Sequence, residues 1–316
     1  MFASLIHGAA ADDRYARSMN PRYPAALALL AMVIAACVPQ PSEETPAPTA
    51  RPTSARPRFE LATYMYALQT KGKIRIGVLD KAIPFAVHDS SGLRTGFEVD
   101  LGRALAKAIF GPQRDPDSVI EWISVDGTTA VSALTSAQAD LILARLAAPE
   151  SGSGLDSPVD LTDPYFVTGE RILIKSSNDE IKDLPDLDTK TVCVQRDTAV
   201  AEHVVEASAF ARTLSLDTYA SCLGALQQGQ VDAIGADEAI LWNLVKLDPN
   251  TKLVGRFVTT ERYSIGVKRN AAGDRQGFLP FLNAWLAGAI RDGTWARLYG
   301  QDIKTYSGET KTTPAD

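Results

Sequence analysis

The chain has 316 residues, 45% hydrophobic and 22% charged, which suits two compact domains of ordinary globular composition. A net charge of -6 leaves no basic block to displace phosphate counterions, so no nucleic-acid partner is expected. The three histidines, His7, His88 and His203, stand in none of the spacings that zinc sites use, so neither a metal nor another cofactor is expected, and His88 and His203 read as surface or half-buried residues.

The first informative segment runs from Ala25 to Ala36, an apolar stretch that ends at Cys37. A membrane-spanning helix needs about 20 apolar residues, so this shorter run reads as the hydrophobic part of a signal peptide. Residues 1–36 are therefore expected to be removed, with Met19 as an alternative start because Asp12 and Asp13 precede the run. Ile34-Ala35-Ala36-Cys37 resembles the bacterial lipobox, which implies that Cys37 carries a lipid; the other reading is a plain signal peptide with a chance cysteine. Residues 37–58 hold Pro39, Pro41, Pro46, Pro48, Pro52 and Pro57 among small polar residues, the composition of an extended tether.

Order is expected from Phe59. Lys73 to Val78 alternates with the period of a strand, and Gly96-Phe97-Glu98-Val99-Asp100 leads into a helix with Leu101, Leu105, Ala108 and Ile109 on one face, stopped by Gly111-Pro112. A strand at 119–123, a helix at 130–138 and a strand at 140–144 complete a parallel crossover. A second set follows: a strand at 191–194, helices at 198–207 and 219–228, and a strand at 231–234. Arg171 to Lys175 and Ser264 to Lys268 read as two further strands near the junction of two α/β lobes. Lobe 1 is expected at 59–168 plus 263–303, lobe 2 at 169–262, and a flexible tail at 304–316. Ligands of such sheets lie beyond the carboxyl ends of the strands, so both lobes would face one cleft.

In their order, several segments carry a family likeness: Lys71-Gly72-Lys73-Ile74-Arg75-Ile76-Gly77-Val78, Pro84-Phe85, Gly96 to Leu101, Ala139 to Ile142, Leu161-Thr162-Asp163-Pro164-Tyr165-Phe166, Ala225 to Ile234 followed by Asp237, Leu247-Asp248-Pro249, and Asp292-Gly293-Thr294-Trp295. The chain resembles the extracellular solute-binding proteins of family 3, in the glutamine and glutamate branch of polar amino-acid importers. The resemblance implies the type II periplasmic-binding-protein fold, two lobes of mixed sheet flanked by helices with two crossover strands as hinge. It also implies a monomer that captures a small polar amino acid for an ABC permease, tethered to the outer face of the cell membrane by its N-terminal lipid, with no catalysis.

Residue by residue, the resemblance assigns Asp237 to the ligand's ammonium, with a helix N-cap as the alternative. Asp80 falls near the ligand side chain or caps a turn, Phe85 walls the pocket, Thr128 offers a hydroxyl, and Thr198 sits at a helix start that meets the carboxylate. Members of this branch often join the positions of Cys193 and Cys222 by a disulfide; two free thiols are the alternative. The chain departs from the family at Leu146-Ala147-Ala148-Pro149-Glu150-Ser151, where Ser151 replaces the arginine that grips the ligand carboxylate and Ala148 replaces a hydroxyl residue. That loss is worth roughly 2 to 5 kcal/mol of binding. Arg145, at the end of a strand, is the candidate substitute; the other reading is an arginine turned to solvent or paired with a local acid. Asp197 adds negative charge beside the carboxylate position and argues against an acidic ligand, unless it merely caps the helix. Two other functions remain open: a regulatory or scaffolding homologue with weakened binding, and a binder of a different small solute.

Overall fold

The computed structural model describes residues 56–147, 157–270, 273–311 and 313–314. Cys37, Ala148 and Ser151 lie outside the described residues. In chain order the elements begin α1 (Tyr64–Lys71), β1 (Ile74–Val78), β2 (Lys81–Ala82), β3 (Ala86–His88), β4 (Arg94–Thr95), α2 (Phe97–Phe110), β5 (Ile120–Ser124), α3 (Ala130–Thr135), β6 (Leu141–Ala147) and β7 (Val159–Thr168). The second half carries β8 (Glu170–Lys175), β9 (Thr191–Gln195), α4 (Val200–Ala207), β10 (Arg212–Leu216), α5 (Tyr219–Gln227), β11 (Ala233–Asp237), α6 (Glu238–Leu247) and β12 (Thr251–Val254). The chain closes with β13 (Glu261–Lys268), α7 (Phe278–Arg291), α8 (Thr294–Leu298), a π-helical turn at Tyr299–Ile303 and α9 (Lys304–Ser307).

Two five-stranded mixed sheets result, ordered β5-β1-β6-β13-β7 in lobe 1 and β10-β9-β11-β8-β12 in lobe 2, with a small sheet β2-β3-β4 beside the first. This is the type II periplasmic-binding-protein fold. The two strands expected near the junction do not pair with each other: β8 lies between β11 and β12, and β13 between β6 and β7. Each lobe therefore receives one crossover strand into its own sheet.

The sheets are covered on both faces, and alternation along single strands shows why. In β8, Leu173 faces the cluster of Cys193, Leu226 and Ile234, whereas Ile172 and Ile174 face that of Val192, Val194 and Val204. A disulfide joins Cys193 of β9 to Cys222 of α5, Cα to Cα 5.6 Å, inside the first of these clusters. The lobe 1 core is aromatic, built on Phe97, Tyr165, Phe166, Tyr263 and Trp295, and it also takes Ala239 and Trp242 from α6 of lobe 2.

The crossovers run side by side. A Cβ on Gly169, the residue between β7 and β8, would collide with the carbonyl oxygen of Thr259 on the returning strand, so only glycine permits this approach. β13 starts at Glu261, two residues before the expected return, because Glu261 already pairs with Thr168. Residues 304–311 are not free of the body as a flexible tail would be. After α9, the Tyr299 hydroxyl donates to the Glu309 carbonyl at 3.2 Å, and Glu309 and Lys311 reach lobe 2.

Candidate functional site

Beside the carboxyl ends of β1, β5 and β6 lies a cavity of about 640 Å³. Asp80, Ser124, Asp126, Thr129, Gln138 and Arg145 contribute to its wall. None of the residues lining it comes from lobe 2.

Arg145 occupies the end of β6 with φ 51°, a left-handed conformation unusual for a side chain with a Cβ. Glu98, wholly buried on α2, holds it there: one carboxylate oxygen accepts from the Arg145 backbone N–H at 2.8 Å and from the Tyr165 hydroxyl. Burial pushes the Glu98 carboxyl up, and these two donors offset part of that rise. The guanidinium of Arg145 makes no hydrogen bond among the described residues, and its Nε is buried without a partner. Burial opposes its charge, but Tyr263, Asp237 and Glu98 nearby more than compensate. An uncommitted, partly desolvated guanidinium in a cleft is suited to a carboxylate.

Asp237 ends β11 and caps α6, where one oxygen accepts from the Ala239 N–H at 2.8 Å. Its other oxygen accepts from the Tyr263 hydroxyl at 3.1 Å. The N-cap and ammonium roles are compatible, since each carboxylate oxygen has two acceptor directions. Asp237, on lobe 2, is near enough to Arg145, on lobe 1, to favour its charge.

The other expected residues are less direct. One oxygen of Asp80 accepts from Arg94 Nη1 at 2.7 Å and from Ser124 Oγ at 3.0 Å. Burial works to raise its pKa, and these partners outweigh it and hold the carboxyl below the usual range. Asp80 keeps its place on the cavity wall as an ionised acceptor. Thr128 is exposed and spends its hydroxyl on Asp126 Oδ1 at 2.7 Å, while its neighbour Thr129 lines the cavity. Thr198 donates to the Gln195 carbonyl at 2.7 Å, just before α4. Phe85 is a correction: it is fully buried, edge-on to Phe97, Phe166 and Tyr263, and offers no wall to a ligand. An aromatic after proline reads the same in sequence whether it faces a core or a pocket.

Sequence reasoning did not single out three further residues that interact with Asp237, namely Tyr263, Glu170 and Glu261. Glu170 pairs with Asp237 across β8 and β11, and its carboxylate meets His203 Nδ1 at 2.9 Å. Burial raises the Glu170 carboxyl and Asp237 raises it further, against the pull of His203. Glu261 is likewise raised by burial, then by Asp237 and Glu170. Among these three acids, Asp237 disfavours the ionised form of both glutamates. The register of β8 against β11 brings two of them together, and only pairing reveals it.

Residues 74–302 match the bacterial extracellular solute-binding proteins, family 3. The chain belongs to that family. Like its relatives, this family 3 protein spans most of a partner's length: it is 29% identical over 241 residues to the ABC transporter glutamine-binding protein of Bacillus subtilis, covering 75% of this chain and 84% of that one. Among solved structures it is similar to an ancestral arginine-binding protein bound to arginine, with 30% identity, a TM-score of 0.51 and coverage of 73% and 98%. It is also similar to the solute receptor for L-cysteine of Neisseria gonorrhoeae, with 26% identity, a TM-score of 0.56 and coverage of 78% and 96%. No helix among the described residues of this family 3 protein is long and apolar enough to cross a membrane.

Proposed function

We propose that the protein captures a polar amino acid outside the cytoplasm and delivers it to an ABC permease, as a monomer held to the membrane by lipid on Cys37 and without chemistry of its own. The observation that supports this reading is that Asp237 of one lobe is near enough to Arg145 of the other to favour its charge. A guanidinium without a hydrogen bond among the described residues and a carboxylate from the other lobe offer the two charges that an α-amino acid needs at its two ends. Arg145 takes the carboxylate in place of the arginine missing at Ser151, and Asp237 with the Tyr263 oxygen takes the ammonium. The relatives bind glutamine, arginine and cysteine by their names, so the side chain is left to local chemistry. With Asp80 and Asp126 on one wall and Glu170 and Glu261 beside Asp237, that chemistry favours a neutral or cationic side chain over an acidic one.

Isothermal calorimetry against each of the twenty amino acids tests the reading. One or a few neutral or basic members are expected to bind, and Arg145→Ala and Asp237→Asn should each weaken that affinity by tens to thousands of fold. Silence of the whole panel at millimolar ligand would overturn amino-acid capture in favour of a homologue with weakened binding.

A further inference from the structure

Successive residues of a strand point to opposite faces, and at the hinge this separates two chemistries by one step. Glu170, Asp237 and Glu261 lie toward Arg145 and the cleft. Arg171 and Arg262, one residue along, border a different cavity of about 470 Å³, together with Val167, Glu238, Phe257 and Lys311. That cavity adjoins both crossover strands, and the chain's own C-terminal segment enters it.

The Lys311 ammonium there has a built cage. It contacts the Glu238 carboxylate, whose side chain is 0% exposed, and donates to the Val167 carbonyl at 3.1 Å. The rings of Phe257, Phe166 and Trp242 stand 4.8, 5.0 and 5.4 Å away. Three aromatic faces and a carboxylate are the usual means of holding an ammonium out of water. Two residues earlier, Glu309 meets Arg171 at 3.0 Å, and Lys246 of α6 lies 3.6 Å over the Tyr306 ring. Glu238, Arg171, Trp242 and Lys246 belong to lobe 2, whereas the segment arrives from lobe 1 by way of α8 and Tyr299.

The structure assigns residues 304–311 the role of a strap, an internal lysine ligand that ties the lobes together across the back of the hinge and holds the cleft open. The assignment extends the reading above, because it concerns the closure that capture requires. Closing brings the lobes together on the cleft side and separates groups that face each other across the back. Contacts formed in the open state therefore stretch or break, and the ligand must supply their free energy. By the same balance, releasing the strap shifts the empty protein toward closure and tightens binding.

Lys311→Met keeps an apolar stem among the three rings, and Arg171 stays on Glu238 at 2.9 Å, so the buried carboxylate is not orphaned. The first measurement uses no ligand. Spin labels at Ser132→Cys, on the rim of the lobe 1 cavity, and Arg196→Cys, beyond the carboxyl end of β9, report the width of the cleft by pulsed EPR. A shorter mean distance is expected with Lys311→Met, and the parent distance with Lys311→Arg. In calorimetry, the amino acid that binds the parent should bind Lys311→Met at least about fivefold more tightly. An unchanged or longer distance, or an unchanged or weaker affinity, would overturn the strap. Should no amino acid bind the parent, the EPR distance alone decides, and only the capture reading falls.

Discussion

Asp302 shows how one side chain can bias the fold without touching the site. It sits in the π-helical turn after α8 with Oδ2 buried and unpartnered among the described residues, and burial followed by the nearby Asp100 raises its pKa to about 7. The folded value lies above that of an unfolded aspartate, so the folded state holds the extra proton. Its stabilising contribution is complete below about pH 4 and is lost as pH rises through about 7. Asp302→Asn should remove this dependence and stabilise the protein by roughly 1 to 2 kcal/mol at pH 8, a figure already reduced for solvent screening. Chemical denaturation at pH 5 and pH 8 checks it: a gain equal at both values would show that Asp302 does not titrate in between.

At the scale of elements, the clearest prediction concerns Gly169. Gly169→Ala forces a Cβ onto the Thr259 backbone and should cost about 1 to 3 kcal/mol, whereas Gly224→Ala, in α5 with open space around it, should gain roughly 0.5 to 1 kcal/mol. Thermal melting of the two variants should move in opposite directions. The elements also show what a sequence discloses. The helix α2 is legible because it buries Phe97, Val99, Leu101, Leu105 and Ile109 on a helical period, and β1, β8, β9 and β11 because they are apolar runs between turns. By contrast α1 buries only Met65 and Leu68, β10 has no buried residue, and β7 carries Pro164 amid polar residues. No periodic signal marks these three. The site divides in the same way: Asp237, Asp80 and Arg145 stand at strand ends that the pattern locates, while Glu170 joins them only through pairing. The strap escaped because ion pairs and ammonium-ring contacts leave no apolar period, so Lys304 to Lys311 reads as a polar tail.

On the scale of the whole molecule, the buried lobe 1 core shares Ala239 and Trp242 of α6 with lobe 2, and the Cys193–Cys222 disulfide braces lobe 2 alone. A loop of that length is worth about 3.6 kcal/mol on the chain-entropy estimate. Cys193→Ser with Cys222→Ser should therefore lower the melting temperature of lobe 2 and leave that of lobe 1 nearly unchanged. Differential scanning calorimetry should show one transition divide into two. A single transition that shifts as a whole would mean that α6, which packs Trp242 into the lobe 1 core, couples the lobes more strongly than the disulfide stabilises one of them.

The alternation at the crossovers also limits how such a protein can change. A one-residue insertion between Gly169 and Arg171, or between Thr259 and Arg262, would exchange the faces of every residue up to the next register correction. Carboxylates would turn toward the strap and arginines toward the cleft. Two-residue changes would preserve the faces. The crossovers therefore obey a rule of parity, and across homologues their lengths should differ by even numbers or not at all.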